Sequence, residues 1–304
     1  MKGNQMDKNS SFRSGFIAIV GRPNVGKSTL LNGLLGEKLA IVSNKPQTTR
    51  NRIMGVITGD DYQAVFLDTP GIHSPHNRLG EYMMQAVRDS LQGIDALAVV
   101  VDAAKIFDTD RRLVEEMSLQ KVYKILVINK IDLLPKEKLL GIIQSFSQAG
   151  YNEIVPISAM TGDGTRLLKN VIIASLPEGP KYFPDDTLTD QPERFICAEM
   201  IREKALLLLK DEVPHGIGIE VLGVEKVSAR LTEINATIYC ERASHKGIII
   251  GKKGSMLRKI GEESRKDIES LLNTHVNLKL WVRIRPDWRN HPTDLKTLGY
   301  SAKE

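Results

Sequence analysis

Residues 21–28 read GRPNVGKS, which places two glycines, a lysine and a hydroxyl at the spacing GxxxxGK[ST]. Set after a buried strand and at the start of a helix, such a loop wraps its backbone N–H groups around phosphate. The helix N-terminus adds a dipole that favours the anion. In that arrangement Gly21 and Gly26 let the backbone close, Lys27 reaches the β- and γ-phosphates, and Ser28 ligates Mg²⁺ through its hydroxyl. Arg22, Pro23, Asn24, Val25 and Thr29 complete the cradle. The alternative is a chance glycine-rich turn between a strand and a helix, and the flanking pattern weighs against it.

Choice of base needs other residues. Asn129-Lys130-Ile131-Asp132 stands at the end of a later apolar run. A carboxylate accepts two hydrogen bonds from the N1–H and 2-amino edge of guanine, and adenine has no such pair of donors. Asp132 would therefore select guanine, with Lys130 along the base plane. Ser158-Ala159, after the last run of this region, would supply a backbone N–H to the guanine oxygen. Alone, the tetrapeptide reads better as a helix N-cap with Asp132 capping. A phosphate loop upstream shifts the balance to guanine. Asp68-Thr69-Pro70-Gly71 follows the run YQAVFLD. Asp68 would hold Mg²⁺ through water and the Gly71 N–H would sense the γ-phosphate, so the loop would change shape on hydrolysis. A plain proline–glycine turn is the other reading.

These residues need a scaffold. Apolar runs at 16–21, 62–68, 95–102, 123–129 and 154–158 have the composition of strands buried on both faces. Stretches of helical spacing lie between them, among them 27–35, 77–92 and 111–119. Alternating strands and helices predict an α/β fold, a doubly wound and mostly parallel sheet over residues 15–176. Ligands then bind at the C-terminal strand ends, where all the motifs above fall. Residues 1–14 are polar and read as a flexible tail. The stretch 177–192 holds Pro177, Gly179, Pro180, Pro184 and Pro192 and reads as a linker. Beyond it the order is a helix (193–209), strands at 216–227 and 231–239, a helical region (244–272) and a last strand (276–284). This non-alternating order predicts a second, smaller α+β domain over 193–304, ending in a C-terminal tail.

Composition limits the function further. The 304 residues are 41% hydrophobic and 26% charged, which argues against a largely disordered chain. The most apolar run, 94–104, contains two aspartates and is shorter than the ~20 residues a bilayer crossing needs. Two cysteines, Cys197 and Cys240, give no disulfide framework and no zinc spacing, so a reducing, cytoplasmic setting is expected.

The second domain carries its own motif. Residues 248–257 read IIIGKKGSML, the I-G-x-x-G-x-x-[IL] form of a KH loop. Gly251 and Gly254 would let a sugar-phosphate strand approach closely, with Lys252, Lys253 and Arg258 supplying charge. A KH module clamps about four nucleotides of single-stranded RNA this way. Eight basic residues between Arg242 and Lys266 face only Glu262 and Glu263, a local surplus that exceeds the +5 of the whole chain. In the last strand, Leu278, Leu280, Val282 and Ile284 alternate with Lys279, Trp281, Arg283 and Arg285. The first set reads as core and the second as an extension of an RNA surface, with Trp281 free to stack.

Taken in order, the phosphate loop, Thr48-Thr49-Arg50, Asp68–Gly71, Asn129–Asp132 and Ser158-Ala159 resemble the translation-factor class of small GTPases. With PQTTR at 46–50, the linker and a type II KH arrangement, nearly the whole chain resembles the Era family of bacterial ribosome-assembly GTPases. The resemblance implies GTP and GDP as ligands, Thr49 as a second Mg²⁺ ligand, and Lys27, Thr49, Asp68 and Gly71 as the catalytic set. It also implies binding near the 3′ end of 16S ribosomal RNA during maturation of the 30S subunit, with some loose association with the inner membrane face. A monomer is expected. Ile72 stands where many signalling GTPases carry a water-orienting glutamine, which predicts slow hydrolysis without stimulation. The chain further resembles GTPases whose P-loop asparagine helps bind K⁺. Asn24 would then ligate K⁺ with carbonyls near Ser43 and Lys45, or else only fix the loop by local hydrogen bonds. Arg50 is a charge stabiliser, a solvated switch residue or a contact to the second domain. Rival classes are a binding switch with slow reset, a tRNA-modifying or membrane-transport GTPase, and an ATP-dependent P-loop enzyme.

Overall fold

The structure, a computed structural model, describes residues 12–43, 45, 47–210 and 213–300. The first sheet has the order β2-β3-β1-β4-β5-β6, built from β1 (Arg13–Val20), β2 (Ile53–Thr58), β3 (Tyr62–Asp68), β4 (Ala96–Asp102), β5 (Tyr123–Asn129) and β6 (Glu153–Pro156). All neighbours run parallel except β2, which pairs antiparallel with β3. Its helices are α1 (Lys27–Leu35), α2 (Arg78–Ser90), α3 (Asp108–Ser118), α4 (Lys136–Phe146) and α5 (Thr165–Ser175). The apolar runs are strands because both their faces are covered. Ile17, Phe66 and Val100 pack under α1 and α5, while Ala18, Val65 and Val99 pack under α3 and α4.

The expected tail stops short of residue 14. Residues 1–11 lie outside the described residues, but Arg13 and Ser14 belong to β1. The Ser14 N–H donates to the Pro177 carbonyl at 3.0 Å and its hydroxyl to the Pro180 carbonyl at 2.7 Å. Residues 177–192 join the two units without forming a loose tether. Val56 N–H, on the edge strand β2, donates to the Leu188 carbonyl at 2.9 Å. The Thr189 hydroxyl donates to the Met54 carbonyl at 2.6 Å.

The second unit runs α6 (Glu193–Leu208), β7 (Ile217–Ser228), β8 (Leu231–Cys240), α7 (Ala243–Ile250), α8 (Ser255–Leu272) and β9 (His275–Ile284). Its sheet has the order β7-β8-β9, antiparallel then parallel, as the α+β expectation requires. The apolar cluster under α1 and α5 continues into this unit through Ile196, Cys197 and Met200 of α6. Residues 285–300, after β9, are no loose tail, and 301–304 lie outside the described residues. A 3₁₀ turn (Trp288–Asn290) and α9 (Pro292–Thr297) pack Trp288, Leu295, Leu298 and Tyr300 against Leu79 and Met83 of α2 and Tyr239 of β8. Among the described residues no helix is long and apolar enough to cross a membrane.

Candidate nucleotide cleft and nucleic-acid interface

The loop 21–28 joins β1 to α1 and borders a cleft of ≈ 250 Å³. Pro23, Asn24, Gly26, Lys27, Ser28 and Thr29 form one wall, with Gly71 and Lys130 beside them. Gly26 adopts φ +101°, and a Cβ there would meet the Asn129 amide nitrogen at 2.3 Å, so the position demands glycine. Asn129 Nδ2 donates to the Val25 carbonyl at 2.8 Å, and its Oδ1 accepts from the Ala159 N–H at 2.9 Å. One buried side chain therefore ties the phosphate loop to the loop after β6. The Ala159 N–H, expected to face the base, is spent on Asn129 instead. Lys130 Nζ donates to the Asn24 carbonyl and to Asp102 Oδ2, each at 2.7 Å. Asp132 stands exposed on the 3₁₀ turn Ile131–Leu133 at the same strand end. Ser158 is buried and accepts the Thr161 N–H.

Not every predicted residue faces the cleft. Arg22 turns away, donating from Nε to Asp110 Oδ1 at 2.5 Å with its guanidinium 4.5 Å from the Phe107 ring centre. Val25 is core, and the Thr69 hydroxyl donates to the Ile19 carbonyl at 2.8 Å. Pro70 is buried. Ile72 packs into the apolar cluster under α3 and α4 while its N–H donates to the Gly21 carbonyl at 3.1 Å.

Three oxygens converge beside the loop. The Ser28 hydroxyl donates to Asp68 Oδ2 at 2.8 Å and lies 2.9 Å from Thr49 Oγ1, which is itself 3.5 Å from Asp68 Oδ2. Asp68 Oδ1 is buried without a partner. Two hydroxyls and a carboxylate with an unspent oxygen fit Mg²⁺, which takes few protein ligands and completes its shell with phosphate oxygens and water. Burial pushes the Asp68 carboxyl up to about 6, against the pull of Lys27 and the hydroxyl hydrogen bonds. Burial likewise lowers Lys27 to about 8, opposed by Asp68. Lys27 Nζ meanwhile donates to the Gly21 and Arg22 carbonyls, both at 3.0 Å. The site thus concentrates charges that a bound phosphate and metal would balance.

Ile41, Val42, Ser43, Gln47, Thr48 and Thr49 line the other side of the cleft, and several described residues between Lys38 and Arg50 are bound to the second unit. Lys38 Nζ pairs with Glu203 of α6 at 2.5 Å and Asp267 of α8 at 2.6 Å. The Val42 N–H donates to Glu203 Oε1 at 2.8 Å, and Lys45 Nζ donates to the Leu209 carbonyl. Arg202 of α6 donates to the Gln47 and Thr48 carbonyls. Arg50 is 1% exposed, so it is not a solvated switch residue. It donates to the Ile217 carbonyl at 2.7 Å and the His215 carbonyl at 3.1 Å, which makes it the contact to the second domain. Pro46, in the PQTTR run, lies outside the described residues. Sequence reasoning missed Arg202, and a signal was available: Glu199 and Arg202 form a charged i, i+3 pair in a helix whose charged and apolar residues are mixed around its circumference, with no face given over to solvent, which marks burial at an interface. It also missed Met160, which lines the cleft together with Lys130.

In the second unit, α7 and α8 meet at the turn 251–254. Gly251 sits at φ +72°, ψ 177°, and a Cβ there would lie 2.7 Å from that of Met256, whereas the space above Gly254 is open. Lys252, Lys253 and Arg258 line the outer side of this turn and the start of α8. Gly254 of the turn, Leu257, Arg258 and Arg265 of α8 and Leu278 and Leu280 of β9 line a groove of ≈ 370 Å³. Strand alternation puts Trp281 on the opposite face of the sheet, so the expected extension of this surface through Trp281 and Arg283 does not adjoin the groove. Ile284, expected in the core, is 43% exposed, as the last residue of β9.

A phosphate-loop cleft on a mostly parallel sheet, joined to a helix–GxxG–helix module, defines a P-loop GTPase with a KH domain. Residues 16–130 match the family described as 50S ribosome-binding GTPase, and residues 212–289 match the KH domain family. The GTPase Era of Ruminiclostridium cellulolyticum is 50% identical over 296 residues, covering 97% of this chain and 99% of the relative. That of Clostridioides difficile is 52% identical over 299 residues, covering 96% and 100%. A crystal structure of Era in complex with MgGDPNP and nucleotides 1506–1542 of 16S ribosomal RNA superposes with a TM-score of 0.91 at 39% identity, covering 96% of this chain and 100% of that one. An Aquifex aeolicus Era variant bound to GDP·AlF4⁻ has the same TM-score. The chain belongs to the GTPase Era family, and it is a GTPase.

Proposed function

We propose that the chain binds GTP with Mg²⁺ in the cleft, hydrolyses it slowly unless stimulated, and clamps RNA near the 3′ end of 16S ribosomal RNA, assisting maturation of the 30S subunit. The observation that carries this reading is the likeness over 96% of the chain to an Era that holds MgGDPNP and nucleotides 1506–1542 of 16S ribosomal RNA. With its first strand counted from Arg13, the GTPase domain runs from 13 to 176, the linker from 177 to 192 and the KH-type domain from 193 to 304.

Transfer of the γ-phosphoryl group to water is governed by positioning and charge neutralisation. Lys27, released from the Gly21 and Arg22 carbonyls, moves its ammonium onto the β- and γ-phosphates. Ser28, Thr49 and Asp68 would hold Mg²⁺, which when bound would supply charge neutralisation to the phosphates. The Gly71 N–H faces the γ-phosphate, and Asp132 and Lys130 hold the guanine while Asn129 fixes both loops. Ile72 offers water no hydrogen bond from its side chain, so a backbone carbonyl or a partner must orient the nucleophile. Asn24, at φ +64° in the loop, would hold K⁺ together with carbonyls near Ser43 and Lys45, and the ion would add positive charge beside the phosphates. Gly251, Lys252, Lys253, Gly254 and Arg258 grip the RNA backbone. The protein works as a cytoplasmic monomer, and the loose membrane-surface association implied by the family would add a second, peripheral contact.

Filter binding tests the reading. The full chain should bind an oligonucleotide matching nucleotides 1506–1542 more tightly with GDPNP than with GDP, and should discriminate against a scrambled strand. Equal affinity for the scrambled strand would sink the RNA assignment.

A further inference from the structure

Thr49 is bracketed by two arginines that cross the domain interface in opposite directions. Arg50 reaches from the GTPase domain to the Ile217 and His215 carbonyls. Arg202 reaches from α6 of the KH domain to the carbonyls of Gln47 and Thr48, the two residues before Thr49. Resting on the reading of Ser28, Thr49 and Asp68 as the Mg²⁺ site, we propose that Arg202 is a positioning residue for GTP hydrolysis. Supplied by the RNA-binding domain, it holds residues 47 and 48 so that the Thr49 hydroxyl stays at the metal.

Arg202 is 0% exposed, and its guanidinium is oriented by Glu199, through Nε at 2.8 Å and Nη2 at 2.5 Å. A planar fork held by a carboxylate on one edge presents its remaining donors in a fixed direction, which a lysine ammonium does not. Those donors meet a turn that needs support. Gln47 sits at φ +58°, a left-handed conformation that a non-glycine residue keeps only when its surroundings over-determine it. Inside the turn the Thr48 hydroxyl donates to the Lys45 carbonyl at 2.6 Å. Outside it, Arg202 takes the two carbonyls. The next side chain, Thr49, is 6% exposed with its hydroxyl 2.9 Å from Ser28 Oγ. A ligand already placed when metal and γ-phosphate arrive loses less freedom on binding. GDP, which lacks the γ-phosphate, gains little from it.

The test uses the full chain with Arg202→Lys, the double change Arg202→Ala with Glu199→Ala, and Thr49→Ala, reading turnover against Mg²⁺ concentration and the affinities for GDP and GDPNP. Arg202→Lys keeps the pair with Glu199, and the double variant leaves no buried charge unpaired, so folding of either one suffices for the test. The expected result is a fall in kcat of about 10- to 100-fold, a several-fold rise in the Mg²⁺ needed for half-maximal rate and weaker GDPNP binding, with GDP affinity held within about twofold. A merely structural role would lower both nucleotide affinities together or neither. If Thr49→Ala is impaired while the Arg202 variants match the wild type, only this proposal falls. If Thr49→Ala itself keeps wild-type rate and Mg²⁺ dependence, the metal-site reading fails and the proposal with it.

Discussion

The Arg50 guanidinium carbon lies 5.6 Å from the centre of the Trp288 ring, so the residue next to Thr49 rests on the C-terminal segment of the chain. Tyr300 covers it from another side at 5.9 Å, and its hydrogen bonds go to two backbone carbonyls and the Tyr300 hydroxyl. Backbone carbonyls and aromatic faces stabilise this buried cation. Replacing Arg50 with Ala leaves the Ile217 and His215 carbonyls without these donors. The expected loss is about 2–4 kcal/mol of stability, read as a lowered urea midpoint of the full chain by tryptophan fluorescence. An unchanged midpoint would remove Arg50 from the interface account.

Asp132→Asn should move nucleotide preference from guanine to xanthine. Two charge-assisted hydrogen bonds at about 1.5–3 kcal/mol each set the scale, so GTP affinity should fall by about 100-fold or more while XTP affinity rises. Competition with labelled GDP measures both. Undiminished GTP binding would refute the guanine assignment.

The K⁺ reading of Asn24 is decided by rate. At equal ionic strength, GTP hydrolysis in KCl should exceed that in NaCl, and Asn24→Ala should abolish the difference. Equal wild-type rates in the two salts would leave Asn24 as a loop-fixing residue only.

Lys252→Ala combined with Lys253→Ala should weaken RNA binding across sequences. Each lost phosphate contact to a single strand lowers the slope of log affinity against log salt by about 0.7, so the pair should flatten it by about 1.4. A slope equal to that of the wild type would place the RNA elsewhere.

Acid should loosen the interface at a defined point. Burial alone would raise Asp267, but hydrogen bonds from Lys204 and Lys38 outweigh it and hold its carboxyl below the ordinary 3.8. Burial alone would lower Lys38, but Asp267 and Glu203 outweigh it and hold the ammonium above 10.5. A depressed acid contributes stability above its unfolded pKa and loses it as pH falls through the folded value. A raised base loses its contribution only as pH climbs past 10.5. The Lys38–Asp267 pair should therefore stay charged on both sides from about pH 4 to about pH 10. Asp267→Asn should remove the part of the acid-side fall in stability that lies below about pH 4, seen in denaturation midpoints between about pH 3 and pH 7. Parallel curves for variant and wild type would contradict this.

Much of the first domain was legible because its strands are buried on both faces and announce themselves as unbroken apolar runs. The loop 21–28, Asp68 and Asn129 follow from where those runs end. β2 was not legible: IMGVIT contains a glycine and lies at the sheet edge, where only one neighbour imposes a pattern. The segment after β9 looked like a tail because Trp288, Leu295 and Tyr300 find their partners on α2, some two hundred residues away in sequence. Arg50 and Arg202 share that difficulty. Their burial comes from the meeting of two domains, and the local pattern points to it only for Arg202, through its i, i+3 pair with Glu199 in a helix without a separate polar face. Within the second domain, the GxxG turn was readable as a motif, but which face of β9 adjoins it depended on how α8 lies across the sheet.

The docking of residues 188 and 189 along β2 has a further consequence. An unguarded rim strand is a template for any passing polypeptide, including another copy of the same molecule. The connector therefore serves as a selvage as well as a bridge. Its sequence is constrained by what it must shield, beyond the distance it must span. A glycine–serine stretch of equal length would still join the two halves, yet it would leave that rim open to self-association.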